Sequence, residues 1–277
     1  MLSIKLKTFN PRKLEKLRVD PKKGASSIIF CGSKRVGKTY MIRDILYYLR
    51  KIPRGIIVTG SLSSAETFSE FFPKSFIFDN LDESMIKRLE KIIRRQEQLR
   101  KNKTKEDYTT LMLFDDCGYD KKFANQQVLR KIFMNGRHFS LQNLFSIQSV
   151  KSVPPGIRNN ADFIFIHREP GKKERMKLHE EFGSIVPEFK TFCRIMDVCT
   201  ENYGCLVVDK TTSSNAIEDN LFYYRARDPP RKFKLGSKAL WEFHRNNYKS
   251  EDEEDKQLKS ITGDIVIKSG KKKKHKK

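Results

Sequence analysis

The sequence predicts an α/β fold of three layers, with a mostly parallel central sheet held between two layers of helices. Three observations point there. Short apolar runs rich in β-branched and aromatic residues recur between residues 26 and 167, helical patterns alternate with them, and the first run passes through a glycine-bearing loop straight into a helix.

The strand-like runs are Ser26 to Cys31, Gly55 to Thr59, Ser75 to Phe78, Thr110 to Asp115, Leu141 to Gln148 and Asp162 to His167. After the first, Met41, Ile45, Leu46 and Leu49 repeat at helical spacing within Tyr40 to Arg50. Between the third and fourth, Met85, Leu89, Ile92, Ile93 and Leu99 mark one buried stripe on a helix whose polar face is mostly basic. Lys172 to Phe182 and Glu188 to Cys199 read as helices separated by Gly183 and Pro187. Tyr203 to Asp209 and Leu221 to Arg225 read as two closing strands at an edge.

A chain of 277 residues predicts one main domain, at 25–248. Residues 1–24, with Pro11 and Pro21, read as a basic lead segment: a short strand and then a connector. Residues 249–277, from the acidic block Glu251 to Asp255 to the lysines at 271–274, 276 and 277, read as a disordered charged tail.

A formal net charge of +23 exceeds what solubility requires and favours a polyanionic partner. Nucleic acid fits best; an anionic membrane surface or an acidic protein remains open at this point. Five cysteines, odd in number and without a C-x-x-C pair, argue against a zinc ribbon or a disulfide framework and for core thiols in a reducing compartment. No apolar run is long enough to span a bilayer and no secretory signal is visible, so a soluble intracellular protein without membrane insertion is expected.

The loop Gly32-Ser33-Lys34-Arg35-Val36-Gly37-Lys38-Thr39 matches G-x-x-x-x-G-K-[ST] between a strand and a helix, the context that a phosphate-binding P-loop requires. Glycine lets the backbone curl with its N–H groups turned toward phosphate, and the helix N-terminus adds partial positive charge. ATP is therefore expected on residues 32–40, Tyr40 included, with Lys38 on the β- and γ-phosphates and the Thr39 hydroxyl on Mg²⁺. The run Leu111 to Phe114 then supplies Asp115 to hold the Mg²⁺ shell through water, and Asp116 as the base for the attacking water. Gln148, at a strand end, is the candidate sensor of the γ-phosphate. For a transition-state arginine the candidates are Arg137 first, Arg158 second, and Arg35 acting in cis; His138 reads as structural.

Taken in order, the P-loop, Asp115-Asp116, Asn135-Gly136-Arg137-His138, Gln148 and the segment Pro154 to Asn160 resemble the poxvirus-type genome-packaging ATPases of nucleocytoplasmic large DNA viruses, compact relatives of the FtsK/HerA translocases. The resemblance spans about residues 25–210. It implies an additional-strand (ASCE, RecA-like) P-loop ATPase fold, a homo-oligomeric ring with active sites between subunits, and ATP-driven movement of double-stranded DNA into a capsid. It further implies Lys38 and Thr39 on nucleotide and metal, Gln148 as sensor and Arg137 as the finger. Capsid or portal-vertex components would be partners, in the virion and in the viral factory of the host cytoplasm. Asp at 116, where many FtsK/HerA relatives carry Glu, gives the base a shorter reach. Another DNA-translocating motor, a helicase or a plasmid-transfer pump, would share every catalytic residue. Lys101, Lys103 and Lys105, and Lys172 and Lys173, are candidate grips on DNA phosphates.

Overall fold

The computed structural model describes residues 5–20, 23–117, 127–228 and 230–248. One nine-stranded sheet runs through it, in the order β1-β9-β8-β7-β2-β6-β5-β3-β4. The strands are β1 (Lys7–Thr8), β2 (Ser27–Cys31), β3 (Arg54–Thr59), β4 (Ile77–Phe78), β5 (Thr110–Asp115), β6 (Leu141–Ile147), β7 (Phe163–Ile166), β8 (Cys205–Asp209) and β9 (Leu221–Tyr224). All neighbouring pairs are parallel except β7 with β8 and β8 with β9.

Alternation along each strand divides the core into two layers. In β2, Ile29 and Cys31 face one cluster and Ile28 and Phe30 the other. On the first side lie helix α4 (Glu83–Lys101) and the helices Gln127–Asn135 and Phe189–Cys199; on the second lie α1 (Arg12–Val19), α2 (Lys38–Tyr48) and residues that follow α3 (Leu62–Ser69). Helix α4 begins where the Asp82 carboxylate accepts from Met85 N at 2.8 Å. It buries Met85, Leu89, Ile93 and Gln96, and the Gln96 amide donates to the carbonyls of Tyr108 and Phe139, pinning the helix to the entries of β5 and β6.

Three expectations change. The connector in the lead segment is helix α1, whose Leu14 and Leu17 join the core while Lys13 pairs with the buried Asp209 carboxylate. Its spacing carried the apolar signal, hidden by the surrounding charge. Second, Ser75 to Phe78 yields only the two-residue strand β4 after a 3₁₀ turn. Third, the closing strands are not the edge: β1 adds outside β9 in parallel. The disorder expected of residues 249–277 lies outside the described residues.

Candidate nucleotide site

Because β2, β3, β5, β6 and β7 are parallel, their C-terminal ends share one edge, and Gly32, Gly60, Asp116, Gln148 and His167 all emerge there. Strand β6 inserts between β2 and β5, as the additional-strand arrangement requires, and its register sets Ile147 beside Cys31 and Ser146 beside Asp115. Antiparallel β8 starts at this same edge, and β9 ends at it. Residues 201–204 and 225–228, distant in sequence from the P-loop, therefore border it as well.

The loop itself follows from its glycines. Gly37 has φ +88°, a left-handed conformation that costs other residues steric strain, and it opens helix α2. At Gly32 a side chain would come within 2.8 Å of His167 Cβ and 3.0 Å of Val36 Cγ2. Lys38 Nζ donates to the carbonyls of Gly32 at 2.6 Å and Ser33 at 2.7 Å, so the amine is held inside the curl of the loop. Burial pushes the Lys38 pKa down, while Asp116 and Asp115 oppose that shift.

Asp115 is only 3% exposed. Burial raises its pKa, against hydrogen bonds from Ser146 and Ser64 and with the Asp116 charge adding to the rise; Thr59 Oγ1 donates to it at 3.3 Å. Asp116 has φ +54°, which turns it off the strand, and one of its carboxylate oxygens accepts from the Gln148 amide. The Thr39 and Ser64 hydroxyls lie 3.4 Å apart. These groups border a cleft of about 990 Å³, lined also by Tyr40, Arg43, Tyr203 and Asp228.

Thus the structure gathers Lys38, Thr39, Tyr40, Asp115, Asp116 and Gln148 around one cleft, with Lys34, Arg35 and Gly37. Two arginines fall elsewhere. Arg137 pairs with Asp162 at 2.5 Å, at the N-terminal ends of β2 and β7. The five residues of β2 put about 15 Å of strand between that end and the P-loop, so Arg137 cannot serve the site of its own subunit. Arg158 is buried, pairs with Glu181 at 2.7 Å and donates to the carbonyls of Val150 and Val153. It ties a loop together and has no free face for a phosphate. Of the three candidates only Arg35, exposed with φ +64°, lines the cleft. The expected lysine grips are exposed but divided, since Lys101, Lys103 and Lys105 precede β5 whereas Lys172 and Lys173 follow β7.

Sequence reasoning missed Ser64, His167 and the 202–203 and 225–228 segments. Ser64 alone left a trace, in the serine cluster after β3; its helix is capped by Ser61, whose hydroxyl accepts from Ser64 N. His167 is fully buried behind Gly32, and burial together with Lys38 lowers its pKa to about 4. Cys31, Cys199 and Cys205 are core thiols, and burial raises Cys31 to about 12. No described helix is long and apolar enough to cross a membrane.

The chain is similar to known proteins in sequence and in fold. The chain is 30% identical to protein L437 of Acanthamoeba polyphaga mimivirus over 259 residues, 92% of this chain and 89% of that one. Protein 075L of Invertebrate iridescent virus 6 is 32% identical over 228 residues, covering 81% and 87% of the two chains. Among solved structures, the genome packaging NTPase B204 of Sulfolobus turreted icosahedral virus 2, in complex with ATP-γ-S, superposes with a TM-score of 0.50 at 16% identity, covering 74% of this chain and 96% of that one. ATPases 2 and 3 of EssC from Geobacillus thermodenitrificans give 0.53 at 14% identity, over 87% of this chain and 45% of that one. At these identities the likeness is one of fold. The model of the poxvirus A32 protein family matches residues 15–222, and the chain belongs to that family.

Proposed function

We propose that this protein is a viral genome-packaging ATPase, hydrolysing ATP in the cleft at the C-terminal edge of its sheet and using the energy to move double-stranded DNA into a capsid. One observation carries the reading: a complete P-loop, an acidic pair and a polar strand end, from β2, β5 and β6, converge on one cleft. The family membership and the shared fold with a packaging NTPase support it.

Hard oxygen donors suit Mg²⁺, and the buried Asp115 carboxylate, held against its own desolvation beside the Thr39 and Ser64 hydroxyls, is a site that a cation would relieve. Thr39 would hold the ion directly and Asp115 through water. When bound, the ion supplies positive charge to the phosphate oxygens. Lys38 exchanges the loop carbonyls for the β- and γ-phosphates. Asp116 accepts the proton of the attacking water, oriented by the Gln148 amide that already touches it. That contact also gives β6 a means of registering whether the γ-phosphate is present. Of the three candidate arginines, Arg35 is the one on this chain's own cleft and would balance transition-state charge in cis; a ring neighbour would supply any further arginine.

DNA contact through phosphates, without base reading, suits a motor that passes any sequence. The expected partners are duplex DNA and capsid or portal-vertex components, in virions and in the host cytoplasm. The test is Asp116→Asn: it keeps ATP affinity and loses about 10²-fold or more in DNA-stimulated turnover. Normal turnover in that variant would refute the site, and strand separation by the native protein would favour a helicase.

A further inference from the structure

The cleft is larger than its phosphate end. Thr39, Ser64, Asp115, Asp116 and Gln148 line one half, on the β6, β5 and β3 side of the P-loop strand. Asn202, Tyr203, Arg225, Ala226 and Asp228 line the other half, reached from β8 and β9 across β7, together with Tyr40 of α2, whose hydroxyl bonds Asp228. The base and the γ-phosphate are opposite ends of a nucleoside triphosphate, so with its γ-phosphate at the acids and its phosphate chain on the P-loop, its nucleoside is directed into this second half.

There the structure presents an aromatic ring. Tyr203 is 71% exposed, although large rings usually gain from burial. The ring lies on the P-loop, where a side chain at Gly37 would come within 3.3 Å of its Cδ1. Two consecutive left-handed residues, Asn202 at φ +48° and Tyr203 at φ +61°, place it there. Both sides of the turn are fixed: Cys199 and Cys205 are buried, Gly204 N donates to Glu201 O at 2.9 Å, and Thr200 N to Met196 O at 2.9 Å. The Arg225 guanidinium reaches Glu201 O at 3.4 Å, and Tyr40 Oη donates to Asp228 at 3.0 Å, so the polar rim around the ring is tied down too. A rigid turn that holds an exposed ring against a phosphate loop is suited to stacking.

We propose that Tyr203 is the platform on which the nucleobase of the bound nucleotide stacks. The proposal rests on the ATPase reading above. Stacking uses the face that every base possesses, so Tyr203 contributes affinity for purine nucleotides without choosing among them.

Equilibrium binding to the full-length protein tests this, with ATP, GTP and inorganic tripolyphosphate as probes. Tyr203→Ala should weaken ATP and GTP about tenfold or more, and Tyr203→Phe should stay within about twofold of the native protein. Tripolyphosphate, which has no base, should bind both variants as it binds the native protein. Native ATP affinity in Tyr203→Ala would overturn the proposal. So would equal losses for ATP and tripolyphosphate, which would make the ring a prop for Gly37. Failure of the underlying reading looks different: the native protein would bind neither ATP nor tripolyphosphate, or Lys38→Ala would bind both unchanged, and the stacking role would fall with it.

Discussion

The two ends of the central sheet use similar residues in opposite ways. At the N-terminal end, polar groups satisfy one another: Arg137 pairs with Asp162, Asp162 accepts from Ser27 N at 2.8 Å, Gln142 exchanges hydrogen bonds with Ser26, and Lys13 pairs with Asp209. The recess there measures only about 220 Å³. At the C-terminal end, the Asp115 carboxylate is buried at a cost, Lys38 bonds only to loop carbonyls, and a cleft of about 990 Å³ stays open in front of them. Buried polar groups that pair with each other stabilise a fold; those aimed at a cavity mark a place where a ligand completes the pairing.

The contrast can be broken by substitution. Arg158→Ala should have the largest effect on stability, about 3 kcal/mol, because it leaves two loop carbonyls without their donor, while the exposed Glu181 returns to solvent and the nucleotide contacts stay in place. Chemical denaturation of the variant checks the size, and unchanged ATP affinity of the folded fraction checks that Arg158 is not a finger. A loss confined to turnover would reverse that assignment.

His167 comes next. Its folded pKa of about 4 lies below the ordinary value of 6.5, so between those values the unfolded chain binds more protons and stability falls as pH falls. The full loss amounts to about 3 kcal/mol. Melting temperature followed from pH 7 toward pH 4, an interval set by the two pKa values, should drop less steeply in His167→Phe than in the native protein. Parallel curves would place the acid sensitivity elsewhere.

Arg137→Ala should do least. Its side chain is 55% exposed and its pair with Asp162 is screened by solvent, so a loss of about 1 kcal/mol or less is expected in the same denaturation experiment.

Lys38, Thr39, Asp115, Asp116 and Gln148, which gather at the cleft, were legible in the sequence, for a physical reason. Phosphate binding needs glycines, a lysine and a hydroxyl at fixed spacing on one strand–loop–helix unit, so the constraint is local and the text of the chain carries it. Asp115-Asp116 and Gln148 were readable because a buried parallel strand is an apolar run and its end is where polarity returns. The order β2-β6-β5 then followed from the resemblance rather than from any local pattern. What was not legible depends on which strands are neighbours. Tyr203, Arg225 and Asp228 reach the P-loop only because β8 runs antiparallel and β9 parallel to β2, and no spacing within the chain reports that. Arg137 sits at the beginning of β6 in a pair with Asp162, so it can meet a nucleotide only across a subunit boundary, which again no spacing within the chain reports.

ATP turnover on duplex DNA, measured for Lys38→Ala and Arg137→Ala side by side in the assembled protein, decides whether hydrolysis belongs wholly to the C-terminal edge. The loop variant should lose about 10²-fold or more, and the other should retain turnover within about twofold. Comparable losses in both would show that the opposite end, reaching a neighbouring subunit, takes part in the chemistry, and would contradict the account.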